Sequence, residues 1–395
     1  MIWIYPILYV VLFVTMCFLY TFFENKEHKN PGGKCTEKVS ILVPAYNEEE
    51  GIARLLDSLL DLDYKNKEIV VIDDGSKDKT YEIASKYKRR GVKVFKKENG
   101  GKANALNYGL KHCTGEFIFT IDADCVVDKK TLKKMVRFFK NPEVMAVVPS
   151  LRVYKPRKII ERVQAVEYII TSFNRKMLSF MQALNVVPGA PMYRASFFRK
   201  HGKFDETTMT EDLEMGMRMQ SKGYKIDFAW DAPVLTKVPK TMVSLFRQRR
   251  RWGYGFLENF MKYRKMVGLK YGELGLFYLP AMFFFAVYPG IFLVYLISWL
   301  FEKSVTSAYY LSAVNYDVAY AVTTGTMEFL LNPRFFLLVC SVIMGLTVYY
   351  LAKTHIKERK FKIDYIAYAL VYGWVLALFQ LFVLLIFILR RKPKW

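Results

Sequence analysis

From Lys38 to Asp124 the chain alternates short apolar runs with amphipathic ones. KVSILVPAY reads as a buried strand ending near Tyr46. NEEEGIARLLDSLLDLDY then has helical apolar spacing, with Asn47 as the expected N-cap. KEIVVIDDGS predicts a second strand, the stretch from Asp78 to Arg90 a helix, and GVKVFKKE a third strand. GKANALNYGLKHC predicts a helix and GEFIFTIDAD a fourth strand. Apolar strands alternating with helices predict an α/β domain, its mostly parallel sheet covered by helices on both faces. Ligands of such sheets bind at the carboxyl ends of the strands. Polar residues stand at those ends: Asn47 and Glu48, Asp73 and Asp74, Asp122 and Asp124. Farther on, Ile159–Ala183 predicts a helix and PGAP, from Pro188 to Pro191, a turn or loop. TTMTEDLEMGMRMQSKGY predicts another helix, with Thr208 and Glu211 as a capping box and Gly223 at its C-terminal end.

Longer apolar runs flank this domain. Ile2–Phe23 carries no charge and is long enough to cross ~30 Å of hydrocarbon. It lacks a basic start and a small-residue cleavage site, so it reads as an uncleaved anchor. Leu274–Leu300, expected to kink at Pro280 and Pro289, Phe335–Leu351 and Tyr365–Leu389 are further spans. Tyr309–Leu331 includes Asn315, Asp317 and Glu328 and reads as an external or interfacial segment. The expected organisation is a transmembrane helix at 1–23, a soluble domain at 38–240, interfacial helices at 241–273 and about three membrane helices at 274–395. Basic loops put the soluble domain inside. The RRKPKW tail then falls outside, against the charge rule, and a fifth crossing at Tyr309–Leu331 would move the conflict to KTHIKERKFK.

The net charge of +23 suggests nucleic acid, anionic lipid or a phosphorylated substrate. Basic residues cluster at the membrane flanks and form no nucleic-acid recognition module, so nucleic acid is set aside. Cys17, Cys35, Cys113, Cys125 and Cys340 match neither a zinc site nor a disulfide framework, which points to a reducing compartment. The four histidines fall outside every motif.

Each polar cluster has two readings. DDGSKDKT is a turn with a helix cap, or a ligand loop. Asp122 and Asp124 form an acidic turn, or hold Mg2+ or Mn2+ while leaving positions open for a diphosphate. Lys102, after two glycines but outside any Walker spacing, is solvated or reaches a phosphate. Thr210-Glu211-Asp212, read alone, is a helix cap. In SLFRQRRRWGYGF, Gln248, Arg251 and Trp252 lie at i, i+3 and i+4 and share a helix face that Gly255 continues. Arg250 is expected on the opposite face, toward water or lipid headgroups. The rival reading is a headgroup collar.

In order, VPAYNEEE, VVIDDGS, GGKANALN, DADC, TED and QRRRW resemble the family 2 glycosyltransferases. Within that family they are similar to the membrane-embedded processive branch of hyaluronan, chitin-oligosaccharide, poly-N-acetylglucosamine and cellulose synthases. The resemblance covers Lys38–Glu258 and implies a GT-A domain and transfer with inversion. It implies that Ala45, Tyr46, Glu48, Asp73 and Asp74 hold the uridine of a UDP-sugar. Lys102, Gln248 and Arg251 would serve the diphosphate, and Asp122 and Asp124 the metal and the donor. Asp212, beside Glu211, would be the catalytic base, with Trp252 and Thr210 toward the acceptor. Direct displacement needs no enzyme nucleophile. A carbohydrate acceptor, membrane lipids and a plasma-membrane location with the catalytic domain in the cytoplasm follow. One helix before the domain and three after resemble the chitin-oligosaccharide synthase arrangement, which points to GlcNAc. Alternatives are single-sugar transfer to a polyprenyl (dolichyl) phosphate and an idle nucleotide-binding scaffold.

Overall fold

The computed structural model describes residues 4–24, 36–313, 333–355 and 364–391. Its centre is an eight-stranded sheet. The strands are β1 (Val39–Ala45), β2 (Lys67–Asp73), β3 (Lys93–Lys96), β4 (Phe117–Thr120), β5 (Val126–Val127), β6 (Val144–Val153), β7 (Met192–Arg194) and β8 (Lys225–Thr236). They lie in the order β3-β2-β1-β4-β7-β6-β8-β5.

The first half is the expected parallel array, with β1 pairing β2 and β4, and β2 pairing β3. The second half is mixed: β7 runs antiparallel to both neighbours, as does β5 to β8, while β6 and β8 are parallel. Strands β1, β2, β3, β4, β6 and β8 thus run one way and β7 and β5 the other, a mixed sheet that is mostly parallel as expected. Gly189 of the PGAP turn, just ahead of β7, adopts φ +72°.

Helices α1 (Ile4–Glu24), α2 (Ile52–Leu60), α3 (Thr80–Lys86), α4 (Lys102–Leu110), α5 (Thr131–Val136), α6 (Ile159–Phe180), α7 (Ala195–His201) and α8 (Glu211–Ser221) follow the chain. Two buried clusters carry the core. One sets Val39, Ile41 and Val43 against Ile52, Leu55, Leu56 and Leu59 of α2. The other sets Leu42, Val70 and Ile72 against Ala105 and Leu106 of α4. Alternate residues of β1 thus face opposite layers, as the two-residue period of a strand requires.

Helix α9 (Met242–Lys262) joins the sheet domain to apolar helices α10 (Leu279–Ala313), α11 (Pro333–His355) and α12 (Asp364–Ile388). A π-helical turn at Leu274–Tyr278 leads into α10, just ahead of Pro280. Among the described residues, Leu274–Tyr309 and Asp364–Ile388 are long and apolar enough to cross a membrane. Their most apolar stretches are only 12% and 11% buried, so the greasy surface points outward and does not fill a core. Helices α1, of 21 residues, and α11, of 23 residues, coincide with the expected first and third spans. The Tyr309–Leu331 segment lies outside the described residues beyond Ala313, as do Lys392–Trp395 and most of KTHIKERKFK.

Candidate active site

The loops after β1 and β2 are stapled together. Asn47 has φ +53°, a conformation Asn tolerates better than most residues. Its N–H donates to Ser76 Oγ (3.0 Å) and its Oδ1 accepts from Lys77 N (2.9 Å). Glu48 N donates to Thr80 Oγ1 (2.7 Å) and Glu49 N to Asp78 Oδ2 (3.1 Å). Asn47 therefore does not cap α2, contrary to its expected role. The chain first crosses to the neighbouring loop, and Gly51 takes the N-cap position. A Cβ at Gly51 would sit 2.9 Å from Ala123 O, so this glycine lets α2 abut the loop carrying Asp122 and Asp124.

The DDGS carboxylates separate in role. Asp73 is fully buried and lines neither active-site cavity, and its Oδ2 accepts from Ser76 N (3.3 Å). Asp74 faces the cleft. It accepts from Gly100 N (3.0 Å) and Gly101 N (2.7 Å), and Lys97 Nζ lies 2.6 Å from its Oδ1. Pro44, Ala45, Tyr46, Glu48, Asp74 and the glycine loop line one side of a cavity of about 670 Å³. Lys102, Asp122, Asp124 and Arg251 close its inner end.

A second cavity of about 240 Å³ meets the first at those same four residues. Its walls include Thr210, Glu211, Asp212, Gln248 and Trp252. The residues singled out at three strand ends and three helices, Asn47 and Asp73 aside, thus border two joined cavities. Lys102 Nζ stands at the junction, 2.7 Å from Asp122 Oδ1 and 3.2 Å from Glu211 Oε1. Burial lowers the affinity of this ammonium for its proton, but the carboxylates of Asp122 and Glu211 more than offset that and hold it protonated. Burial and then Glu211 push the Asp212 carboxyl above its ordinary value. Glu211 is held below its ordinary value: burial opposes this, and Lys102, its own backbone N–H and Arg251 together outweigh it.

Burial and then Asp122 raise Asp124 to about 6. Burial and then Asp124 raise Glu48 to about 7. Crowded carboxylates of this kind are what a divalent cation relieves, and their hard oxygens suit Mg2+ or Mn2+. Among the described residues no cluster of three or more potential ligands forms. The Asp122–Asp124 pair therefore fits an ion that takes its other oxygens from a diphosphate and water.

Helix α9 brings Gln248, Arg251 and Trp252 to the smaller cavity on one face, as their spacing predicts. Trp252 is 37% exposed, leaving its ring available. Behind it lies Arg249, which sequence reading passed over. Its guanidinium sits 4.2 Å from the Trp252 ring centroid and 2.6 Å from Glu167 Oε2, while Tyr372 OH donates to the same carboxylate oxygen (2.9 Å). Arg247 is exposed and Arg250 half-buried, and neither lines the smaller cavity.

The same helix fixes the Thr210 loop. A Cβ on Gly255 would collide with the Thr210 side chain. Asn259 Nδ2 donates to Thr208 Oγ1 (2.9 Å), Thr210 Oγ1 (3.0 Å) and Gly255 O (3.0 Å), and Glu258 Oε2 accepts from Met209 N (3.0 Å). The expected capping box of Thr208 and Glu211 is absent: Thr210 is the N-cap and makes no side-chain cap bond, because α9 has taken these hydroxyls. Gly223, at φ +77°, ends α8 as expected.

Glu167, Tyr168, Thr171 and Arg175 of α6, with Lys237 after β8, also line the smaller cavity. The α6 four recur at i, i+1, i+4 and i+8, a polar and aromatic stripe whose helical period was the available signal. Nothing local marks Lys237.

Residues 40–202 match the family described as Glycosyl transferase family 2, and the chain carries that glycosyltransferase domain. Poly-beta-1,6-N-acetyl-D-glucosamine synthase of Staphylococcus epidermidis is 32% identical over 266 residues, 64% of this chain and 63% of that protein. The synthase of the same name from Staphylococcus aureus strain COL is 33% identical over 224 residues, 55% of this chain and 54% of that protein. The chain thus spans less than two thirds of the length of these relatives. A mannosyltransferase from Pyrobaculum calidifontis, solved with GDP-Man and Mn2+, superposes with a TM-score of 0.55 over 90% of this chain and 99% of that one, at 21% identity. That likeness is one of fold, and the domain has the GT-A-like mixed sheet.

Proposed function

We propose that the protein transfers a sugar from a UDP-sugar, UDP-GlcNAc by preference, to the end of a growing β-linked polysaccharide, with inversion, at a membrane it crosses several times. The observation that carries this reading is the pair of cavities joined at Lys102, Asp122, Asp124 and Arg251. A nucleotide in the larger cavity and an acceptor in the smaller one would meet at those four groups, where a nucleotide sugar has its scissile bond. The names of the staphylococcal relatives support GlcNAc.

Asp212 borders the acceptor side, and its raised pKa suits a base that takes the proton of the attacking hydroxyl. Its Oδ1 accepts from Leu213 N (2.8 Å), which holds the carboxylate in place. The hydroxyl oxygen attacks the anomeric carbon from the face opposite the diphosphate, so one displacement inverts the centre. The departing diphosphate gains negative charge beside Lys102 and Arg251, whose fixed cations stabilise it where it develops. Mg2+ or Mn2+ on Asp122 and Asp124 would supply further charge neutralisation for the diphosphate. The exposed Trp252 ring, backed by Arg249, offers a flat surface on which a sugar of the acceptor stacks.

The test is product sizing. The full chain in lipid receives a panel of radiolabelled UDP-sugars with Mg2+ or Mn2+, and products are divided between water-soluble polymer and organic-phase lipid. Polymer from UDP-GlcNAc is expected. One sugar confined to the lipid phase would replace this reading with transfer to a polyprenyl phosphate.

A further inference from the structure

A third cavity, of about 490 Å³, opens on the other side of Lys237. Arg54, Lys155, Arg157, Lys158, Lys237 and Lys240 line it, against two carboxylates, Glu50 and Glu161. The two carboxylates offset only part of the charge of the six cations. Glu161 Oε2 accepts from the backbone N–H groups of Arg157 (3.0 Å) and Lys158 (2.8 Å). Glu50 makes one long contact, 3.5 Å to Lys237 Nζ. Among the described residues, Arg54, Lys155, Arg157, Lys158 and Lys240 form no salt bridge. Arg54 and Lys155 instead flank the ring of Tyr154, at 4.8 and 5.3 Å from its centroid.

Six cations gathered in one concavity repel one another, an arrangement that an anion stabilises. Two helices also begin at this wall, α6 after Lys158 and α9 after Thr241, and their N-terminal dipoles favour negative charge there. Gln164 Nε2 donates to Pro239 O (2.8 Å), tying the two segments into one surface.

The surroundings point to a membrane-proximal position. Ile159, next to Lys158, is 63% exposed, and Val243, near Lys240, is 60% exposed. Arg162, one turn into α6, lies 3.1 Å from Asp364, the first residue of the last apolar helix. Basic side chains flanked by exposed aliphatic ones beside the polar end of an apolar helix match the chemistry of a bilayer interface.

We propose that this cavity is a second anion site, distinct from the diphosphate position, which binds a phosphate-bearing group. It rests on charge and geometry and does not depend on the proposed transfer. The test uses full-length protein in detergent, the Arg157→Gln/Lys158→Gln variant, and a control with the same charge change at exposed Lys86 and Arg89. Native mass spectrometry reads retained phosphatidylglycerol against phosphatidylcholine, and calorimetry reads binding of inorganic phosphate. Preferential retention of phosphatidylglycerol, weakened roughly tenfold or more in the double variant but not in the control, supports a lipid phosphate as the ligand. Saturable phosphate binding without that retention, lost in the same variant, supports a soluble phosphate. Absence of both in the wild type, or equal losses in the variant and the control, would overturn the proposal.

Discussion

Asn259 Nδ2 lies 3.0 Å from Thr210 Oγ1, so helix α9 holds the residue that starts the helix bearing the candidate base. Asn259 is fully buried. Asn259→Leu leaves the Thr208 and Thr210 hydroxyls short of a donor, at a cost of about 1–3 kcal/mol in stability. The expected kinetic effect is a lower kcat with donor affinity retained, since the larger cavity is untouched. Thermal unfolding with steady-state kinetics checks this; a weakened KM for the donor at unchanged kcat would contradict it.

Asp212→Asn keeps the shape of the side chain and removes its basicity. Transfer is expected to fall by about 10²–10⁴-fold while UDP binding persists, because a general base contributes roughly that much. Calorimetric titration with UDP beside a transfer assay separates the two effects. Loss of UDP binding would make Asp212 part of the donor site instead.

Much of this arrangement was legible beforehand, for a physical reason. Strands and helices announce themselves by period, and the carboxyl ends of parallel strands gather what stands there, so Asp74, Asp122 and Asp124 could be put in one cleft from spacing alone. The Gln248, Arg251 and Trp252 face followed from one helical turn. Asn47 and Thr208 were misread because local capping rules compete with tertiary partners: the Ser76 loop claimed one and α9 the other. Arg249 was passed over because its value depends on Glu167 and Tyr372, remote in sequence. The turn of β7 against the sheet left no periodic trace in a three-residue strand.

Trp252→Ala removes the candidate acceptor platform and leaves Arg249 uncovered. Shorter product or none is expected, with UDP affinity unchanged, measured by gel sizing and calorimetry. Trp252→Phe, which keeps a flat ring, is expected to restore part of the length. Full-length product from Trp252→Ala would remove the ring from acceptor binding.

Lys102→Met takes the cation from the junction of the two cavities and leaves Asp122 and Glu211 facing each other without it. A loss of about 10²–10³-fold in kcat is expected, the scale for removing one preorganised group from developing charge. Chelation of divalent cations is expected to abolish transfer in the wild type, and added Mg2+ or Mn2+ to restore it. Undiminished transfer after chelation would exclude a role for Asp122 and Asp124 as metal ligands.

The acid limb of the pH profile belongs to Asp212 if that carboxylate is the base. Burial and the negative charge of Glu211 raise its pKa above 3.8, with Lys102 and Arg251 pulling less strongly the other way. The base works only when deprotonated, so kcat is expected to fall as pH drops through a value above the ordinary aspartate range. Glu211→Gln removes the like charge and leaves Lys102 closer to unopposed at Asp212. Both changes favour the carboxylate, so the acid limb is expected to move to lower pH in that variant. Measuring kcat against pH at saturating donor, in wild type and Glu211→Gln, decides the point. A limb that stays fixed or moves to higher pH would assign it to another group and leave Asp212 without its role as base.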